Sequence, residues 1–194
     1  MRLFPLLAAL LSASTALAAD RSVTDDTGRA VVIPQTPERI VVMHEPLLGL
    51  PLMELGATVV GSYGRKDDGS FVTAVDFVDT VFGPGRPKPR GIGAVGQIDL
   101  ERLKALKPDL ILGTELDVDK AERLSTVAPV YFQNVSTGKA HGLSVEEDLA
   151  RLTGREDILL RRKAAYAEKL KQVKALLPKP DGKTYLAVFL TDQL

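Results

Sequence analysis

The chain has 194 residues, with 25 basic and 25 acidic side chains, two histidines, and neither cysteine nor tryptophan. The even charge balance leaves no electrostatic footprint for nucleic acid and no acidic block for a solvating tail. The lack of cysteine leaves no thiol for a disulfide, a thiolate metal site, covalent catalysis or lipid attachment, and the length suits one domain or part of a larger protein.

The chain opens with "MRLFPLLAALLSASTALAAD". One arginine, a short apolar run and Ala16-Leu17-Ala18 read as an export signal over residues 1–18, cleaved after Ala18, with an N-terminal anchor as the alternative. No later segment is long and apolar enough to cross a bilayer. "VTDDTGRAVVIP" reads as a hairpin broken at Asp26-Thr27-Gly28. "RIVVMHE" then gives an uninterrupted apolar run from Ile40 to Met43, the pattern of a strand buried on both faces of a parallel sheet. "PLLGLPLMELG" has helical period, with Pro46 in the first turn, Gly56 at the end and Pro51 as a possible kink. "TVVGSYG" is the next strand.

Within residues 64–90, "FVTAVDFVDTVF" fits either a helix or two short strands, and "GPGRPKPRG" is an extended basic loop. Asp99 is expected to cap a helix running to Leu106 and ended by Pro108. "LILG" is a strand, "DKAERLSTVA" a helix and "PVYFQN" a strand. Ser144 to Glu147 reads S-x-x-E, a capping box opening a helix that ends at Gly154. The alternation predicts an α/β fold, a Rossmann-like parallel sheet with helices on both faces.

A long helix follows from about Glu156 to Leu177, with Leu159, Tyr166, Leu170, Val173 and Leu177 along one apolar stripe; it would be roughly 33 Å long. Pro178 and Pro180 end it. "KTYLAVFL" then starts an apolar strand, read as the first strand of an incomplete second lobe or, alternatively, as the last strand of the first sheet. The expected division is a signal over 1–18, an α/β lobe over 19–154, a linking helix over 155–178 and the start of a second lobe over 179–194.

"GIGAVG" at residues 91–96 is a literal G-x-G-x-x-G, and Glu115 lies about twenty residues beyond it, as the dinucleotide fingerprint requires. That fingerprint also needs a buried strand before its first glycine and a helix opening inside it. Here "GRPKPR" precedes Gly91 and the helix starts only near Asp99, so the glycines read better as a tight approach to that helix. An exported α/β enzyme using Gly91–Gly96 stays open as an alternative. No G-x-S-x-G elbow or H-E-x-x-H occurs.

The series "RIVVMHEPLLGLPLMELGATVVGSYGR", "GIGAVGQIDLERLKALKPDLILG", "APVYFQN" and a long helix resembles the periplasmic substrate-binding proteins of ABC importers for ferric siderophores, haem and cobalamin. "IDLERLKALKPDLILG" is its most specific part, matching an N-L-E, L, K-P-D-L-I pattern. The resemblance implies two α/β lobes joined by one helix, ligand held between them, and no covalent chemistry. It implies a periplasmic monomer that delivers a ferric siderophore to an inner-membrane permease, with haem or cobalamin as the alternative passenger. No resident cofactor is implied, iron entering only within the chelate, and no nucleic acid. Glu101 occupies the glutamate that docks the family's lobe on the permease; an acid there also suits a helix N-terminus.

Ligand contacts in open α/β sheets come from loops at the carboxyl ends of strands. That nominates Met43, His44 and Glu45, then Tyr63 and Arg65, then Val95 to Gln97, Thr114 and Glu115, and Gln133 with Asn134. Arg65 is the preferred contact for an anionic, oxygen-rich chelate. Family members often carry arginine or an aromatic residue just before N-L-E; this chain has Ala94, Val95 and Gly96, which leaves Arg65, Arg86 or Arg90 for that task. Two histidines without a ligand spacing argue against a bare-ion site, although Tyr63 or His44 suits a haem iron. His141 reads as an exposed loop residue.

Overall fold

A computed structural model describes residues 20–66, 68–94, 97–136 and 143–176. The export signal, Val95, His141 and the KTYLAVFL segment lie outside the described residues. The expected hairpin pairs β1 (Asp20–Thr24) antiparallel to β2 (Ala30–Pro34). Its turn is held by buried Asp25, whose Oδ1 accepts from the Thr27 and Arg29 amides and the Thr27 hydroxyl.

Five parallel strands form the main sheet: β3 (Ile40–Val42), β4 (Val59–Ser62), β5 (Arg90–Gly91), β6 (Leu110–Thr114) and β7 (Val130–Gln133). Their spatial order is β5-β4-β3-β6-β7. The pleat sends successive side chains to opposite faces. Ile40, Val42, Leu110, Leu112 and Tyr131 therefore enter one core, and Val41, Ile111, Val130 and Phe132 the other. The first core is covered by a wide turn at Glu45–Gly49, α1 (Leu50–Glu54), α2 (Phe77–Phe82) and α5 (Ser144–Thr153), through Leu48, Leu52, Val78 and Leu149. The second is covered by α3 (Leu100–Ala105) and α4 (Ala121–Ser125), through Leu103, Leu106 and Leu124. Two dry faces explain why the strands read as continuous apolar runs.

Several local expectations are refined. Pro51 does not kink a continuous helix: residues 45–49 form a π-type turn, and the proline, lacking an N–H, sits in the first turn of α1. Of the undecided stretch over residues 71–82, only the second half is helical, as α2; Phe71 bridges to Arg65, and Asp76 caps the helix, its Oδ1 accepting from the Val78 and Asp79 amides. The S-x-x-E reading of α5 is corrected, since Leu143 stands at the cap position and Ser144 is already helical. Gly154 does end that helix, in a left-handed conformation. α4 starts later than expected, because residues 115–120 wind as a 3₁₀ turn first.

α6 (Glu156–Leu176) is the long helix expected. The chain divides into two units, residues 1–159 and 160–194. In the first, Leu159 joins the core; in the second, Leu160, Tyr166, Leu170, Val173 and Leu176 are exposed along the helix.

The GIGAVG segment is not a phosphate loop. Its first glycine ends the two-residue edge strand β5. A Cβ on Gly91 would lie 2.1 Å from the Arg65 carbonyl oxygen, and one on Gly93, at φ +120°, 2.1 Å from that of Gln97. The N-terminal amides of α3 at Glu101 and Arg102 are already bonded to the Asp99 carboxylate at 3.1 and 3.0 Å. Gly91 and Gly93 thus serve close packing of backbone on backbone. Gly93→Ala is expected to destabilise the chain by about 2 kcal/mol or more in urea unfolding; a change under about 0.5 kcal/mol would contradict this reading.

Candidate functional site

The direction of the sheet connections reverses between β3 and β6. From β3 the chain passes to β4 and β5 on one side, and β6 and β7 lie on the other. Loops leaving the carboxyl ends of β3 and β6 diverge at such a point and leave a crevice. A cleft of about 540 Å³ opens there, lined by Met43, His44, Glu45 and Pro46 after β3 and by Tyr63 and Gly64 after β4. Thr114, Leu116 and Asp117 after β6 line it too, and Phe71, Val72, Thr73 and Phe77 close one side. The sequence-nominated Met43, His44, Glu45, Tyr63 and Thr114 are thereby brought together.

Behind this wall lies a buried ion network. Arg65 is 1% exposed and Glu45 0%. Arg65 Nε and Nη2 donate to the two Glu45 carboxylate oxygens, both at 2.6 Å, and Ser62 Oγ donates to Glu45 Oε2 at 2.5 Å. On its other edge the guanidinium donates to Asp76 at 2.9 and 3.0 Å and to the Gly69 carbonyl at 2.6 Å. Lys88 extends the chain of charges, reaching Asp76 at 2.9 Å and Asp79 at 2.6 Å. The Arg65 hydrogen bond, joined by those from Lys88 and the α2 amides, holds Asp76 well below the usual carboxylate range against a burial penalty. Burial alone would lower the Arg65 pKa, but bonds to Asp76 and Glu45 outweigh it and raise it.

This corrects the reading of Arg65 as the direct anion contact. A guanidinium flanked by two carboxylates has no edge left for a ligand. Its task is structural: it ties the end of β3, the end of β4 and the start of α2 together, and so fixes Phe71 and Phe77 on the cleft. Phe71 lies edge-on to Phe77 at 5.6 Å between ring centroids, and the Arg65 guanidinium is 5.4 Å from the Phe71 ring centre. Glu45 likewise borders the cleft with its carboxylate already engaged.

The remaining polar groups of the wall are neutral or paired. His44 Nδ1 accepts from the Leu47 amide at 3.1 Å, which places the ring proton on Nε2. Burial pushes the His44 pKa below its ordinary value, with the Asp117 charge pulling the other way. Burial raises that of Tyr63, whose hydroxyl is enclosed without a well-formed hydrogen bond. Thr114 and Asp117 form a capping box: Asp117 Oδ2 accepts from the Thr114 amide and hydroxyl at 3.1 and 3.0 Å, while its Oδ1 meets Lys120 at 3.3 Å.

Three nominated residues point elsewhere. Glu115 turns to the loop after β7, where it accepts from the Val135 and Ser136 amides at 3.0 and 2.9 Å. Gln133 is buried against the hairpin, its Nε2 donating to Asp26 at 2.9 Å and to Asp148 at 3.3 Å. Gln97 is exposed before α3 and is not part of the lining. Among the basic-loop candidates, Lys88 joins the network and Arg86 stacks on Phe82 at 4.2 Å. Sequence reading missed Phe71, Val72, Phe77, Leu116, Asp76 and Asp117. The T-x-x-D at Thr114–Asp117 is a capping signal, and Asp before a helical stretch marks Asp76.

A family model described as "Periplasmic binding protein" matches residues 72–194. The chain belongs to the periplasmic binding protein family. Among curated relatives, the ferric-anguibactin-binding protein FatB of Vibrio anguillarum is 26% identical, over 63% of this chain and 45% of its own length. YhfQ of Bacillus subtilis is 27% identical, over 79% of this chain and 46% of its own. The chain thus spans about half the length of the curated relatives it matches. Unliganded FhuD2 from Staphylococcus aureus superposes with a TM-score of 0.59 at 28% identity, covering 77% of this chain and 48% of that one. Holo-ViuP gives a TM-score of 0.66 at 23% identity, over 84% and 53%, a likeness of fold. Family membership places the chain among binding proteins rather than enzymes.

Removing the strut should be costly for this binding-protein fold. Arg65→Met leaves Glu45 buried and unpaired and should lower stability by about 3–5 kcal/mol in urea unfolding; a loss under about 1 kcal/mol would show that the pair is not a strut. The depressed Asp76 pKa contributes stability that is complete above the unfolded value of about 3.9 and is lost as pH falls below it. Asp76→Asn should therefore be less stable at neutral pH and decline less steeply on acidification, whereas parallel pH curves would contradict the assignment.

Proposed function

We propose that this chain forms the ligand-facing wall of a periplasmic solute-binding protein that captures a ferric siderophore for an ABC importer at the inner membrane. The observation that carries the reading is the cleft at the β3/β6 reversal, walled by side chains already held in place by the fold. The names of FatB and of BauB, a siderophore binding protein solved with acinetobactin and ferric iron, support an iron chelate as the passenger. The export signal read in residues 1–18 supports the compartment.

Capture needs no covalent step. An iron chelate of siderophore size presents a large apolar periphery around oxygen ligands. Phe71, Val72, Phe77, Met43 and Leu116 would cover that periphery, and His44 and Tyr63 would donate to its oxygens. Because Arg65 locks the wall from behind, the cleft is organised before the ligand arrives, which lowers the ordering cost of binding. The protein works as a monomer, and Glu101, 85% exposed at its side chain, would meet basic residues of the permease.

Calorimetric titration of the full chain tests the reading. Saturable binding of a ferric siderophore is expected, with no heat from NAD or sugars; saturation by a nucleotide, or none by any iron chelate, would overturn it. Docking is tested separately with Glu101→Arg. Chelate affinity should be unchanged, while uptake through a reconstituted importer should fall by roughly tenfold, the scale of one interfacial charge contact. Undiminished uptake would remove Glu101 from the interface.

A further inference from the structure

The cleft carries a second message, about the charge of its ligand. Among the described residues that line it, none is lysine or arginine. The ion pairs that border it involve five carboxylates (Glu45, Asp76, Asp79, Asp117 and Asp119) and three cations (Arg65, Lys88 and Lys120). The wall is therefore backed by two more negative than positive charges. Every one of those cations is already in contact with two carboxylates. Lys66 and Arg102 line an adjoining hollow that shares Val72 with the cleft; Asp68 lines it too, and Arg102 is paired with Asp99 at 3.0 Å.

The hydrogen-bond donors that remain toward the cleft are uncharged. His44 offers a neutral Nε2–H, its protonation discouraged by burial. The Tyr63 phenol keeps its proton for the same reason; it is enclosed with the Gln97 backbone beside its oxygen but without a well-formed acceptor for its own proton among the described residues, which costs free energy unless a ligand supplies one. Around these donors the surface is aromatic and aliphatic. A highly anionic ligand entering this crevice would exchange hydration for a low-dielectric wall of the same sign, with no lysine or arginine among the described lining residues to compensate. A ligand with oxygen acceptors but no net negative charge loses nothing by that exchange.

We propose that the cleft selects iron chelates of zero or positive net charge, with a neutral ferric tris-hydroxamate as the type, and disfavours highly anionic tris-catecholate and citrate complexes. The proposal rests on the iron-chelate reading above and adds the charge class of the passenger. It assigns Tyr63 and His44 as neutral donors and Leu116, 73% exposed on the rim, as apolar cover.

The test titrates the full chain with three probes at low and high salt: a neutral ferric tris-hydroxamate, a ferric tris-catecholate and ferric dicitrate. The neutral complex is expected to bind at least about tenfold more tightly than either anion, with an affinity that salt hardly changes. Leu116→Lys, which replaces apolar cover with a cation on an exposed rim position, should shift the ratio of tris-catecholate to neutral-complex affinity several-fold toward the anion in low salt. Equal or tighter binding of an anionic probe by the unaltered chain would overturn the charge inference while leaving chelate binding intact. Binding of none of the three would overturn both.

Discussion

The Arg65 guanidinium, clamped between Glu45 and Asp76, is the interaction on which the site depends. It joins three segments at this end of the sheet: the residues leaving β3, those leaving β4, and the first turn of α2. A buried ion pair is not a cheap way to gain stability, because two desolvated charges can at best repay their lost hydration. What it supplies is position. Each donor of the fork has one acceptor, so the Phe71–Phe77 side of the cleft has one place to sit. Removing Arg65 would leave the Glu45 carboxylate without a cation in an apolar interior.

The same constraint explains the electrostatics of the cleft. Carboxylates gather at strand ends because Glu45, Asp76 and Asp117 each do local work: pairing with Arg65, capping α2, and closing a capping box with Thr114. The cations they attract are thereby turned away from the opening. The surface that faces a ligand is left with aromatic rings, aliphatic side chains and two neutral donors. A wall of that kind holds a compact, weakly charged body by area and a few directed hydrogen bonds.

Much of this was legible in the sequence, for physical reasons. Runs such as RIVV and LILG declare strands dry on both faces, and strands of that kind must lie in a covered parallel sheet, whose functional loops sit at the carboxyl ends. That logic nominated Met43, His44, Tyr63 and Thr114, all of which line the cleft. Side-chain direction beyond the strand end was not legible. Arg65 and Asp76 are eleven residues apart and meet only because the intervening loop folds back, with Phe71 bridged to Arg65. Glu115 and Gln133 follow strands as the rule requires, yet they turn toward the β7 loop and the hairpin, where unpaired amides and carboxylates of distant segments await them. The GIGAVG string shows the converse: a motif without its strand and helix is only a place where backbones pass closely.

The most direct measurement is a crystal structure of the protein soaked with a neutral ferric hydroxamate, with data collected at the iron absorption edge. The account predicts one anomalous peak over Met43, His44, Tyr63 and Thr114, with Arg65 still paired to Glu45 and Asp76. Iron located away from the strand ends, or an Arg65 guanidinium swung out onto the chelate, would contradict it.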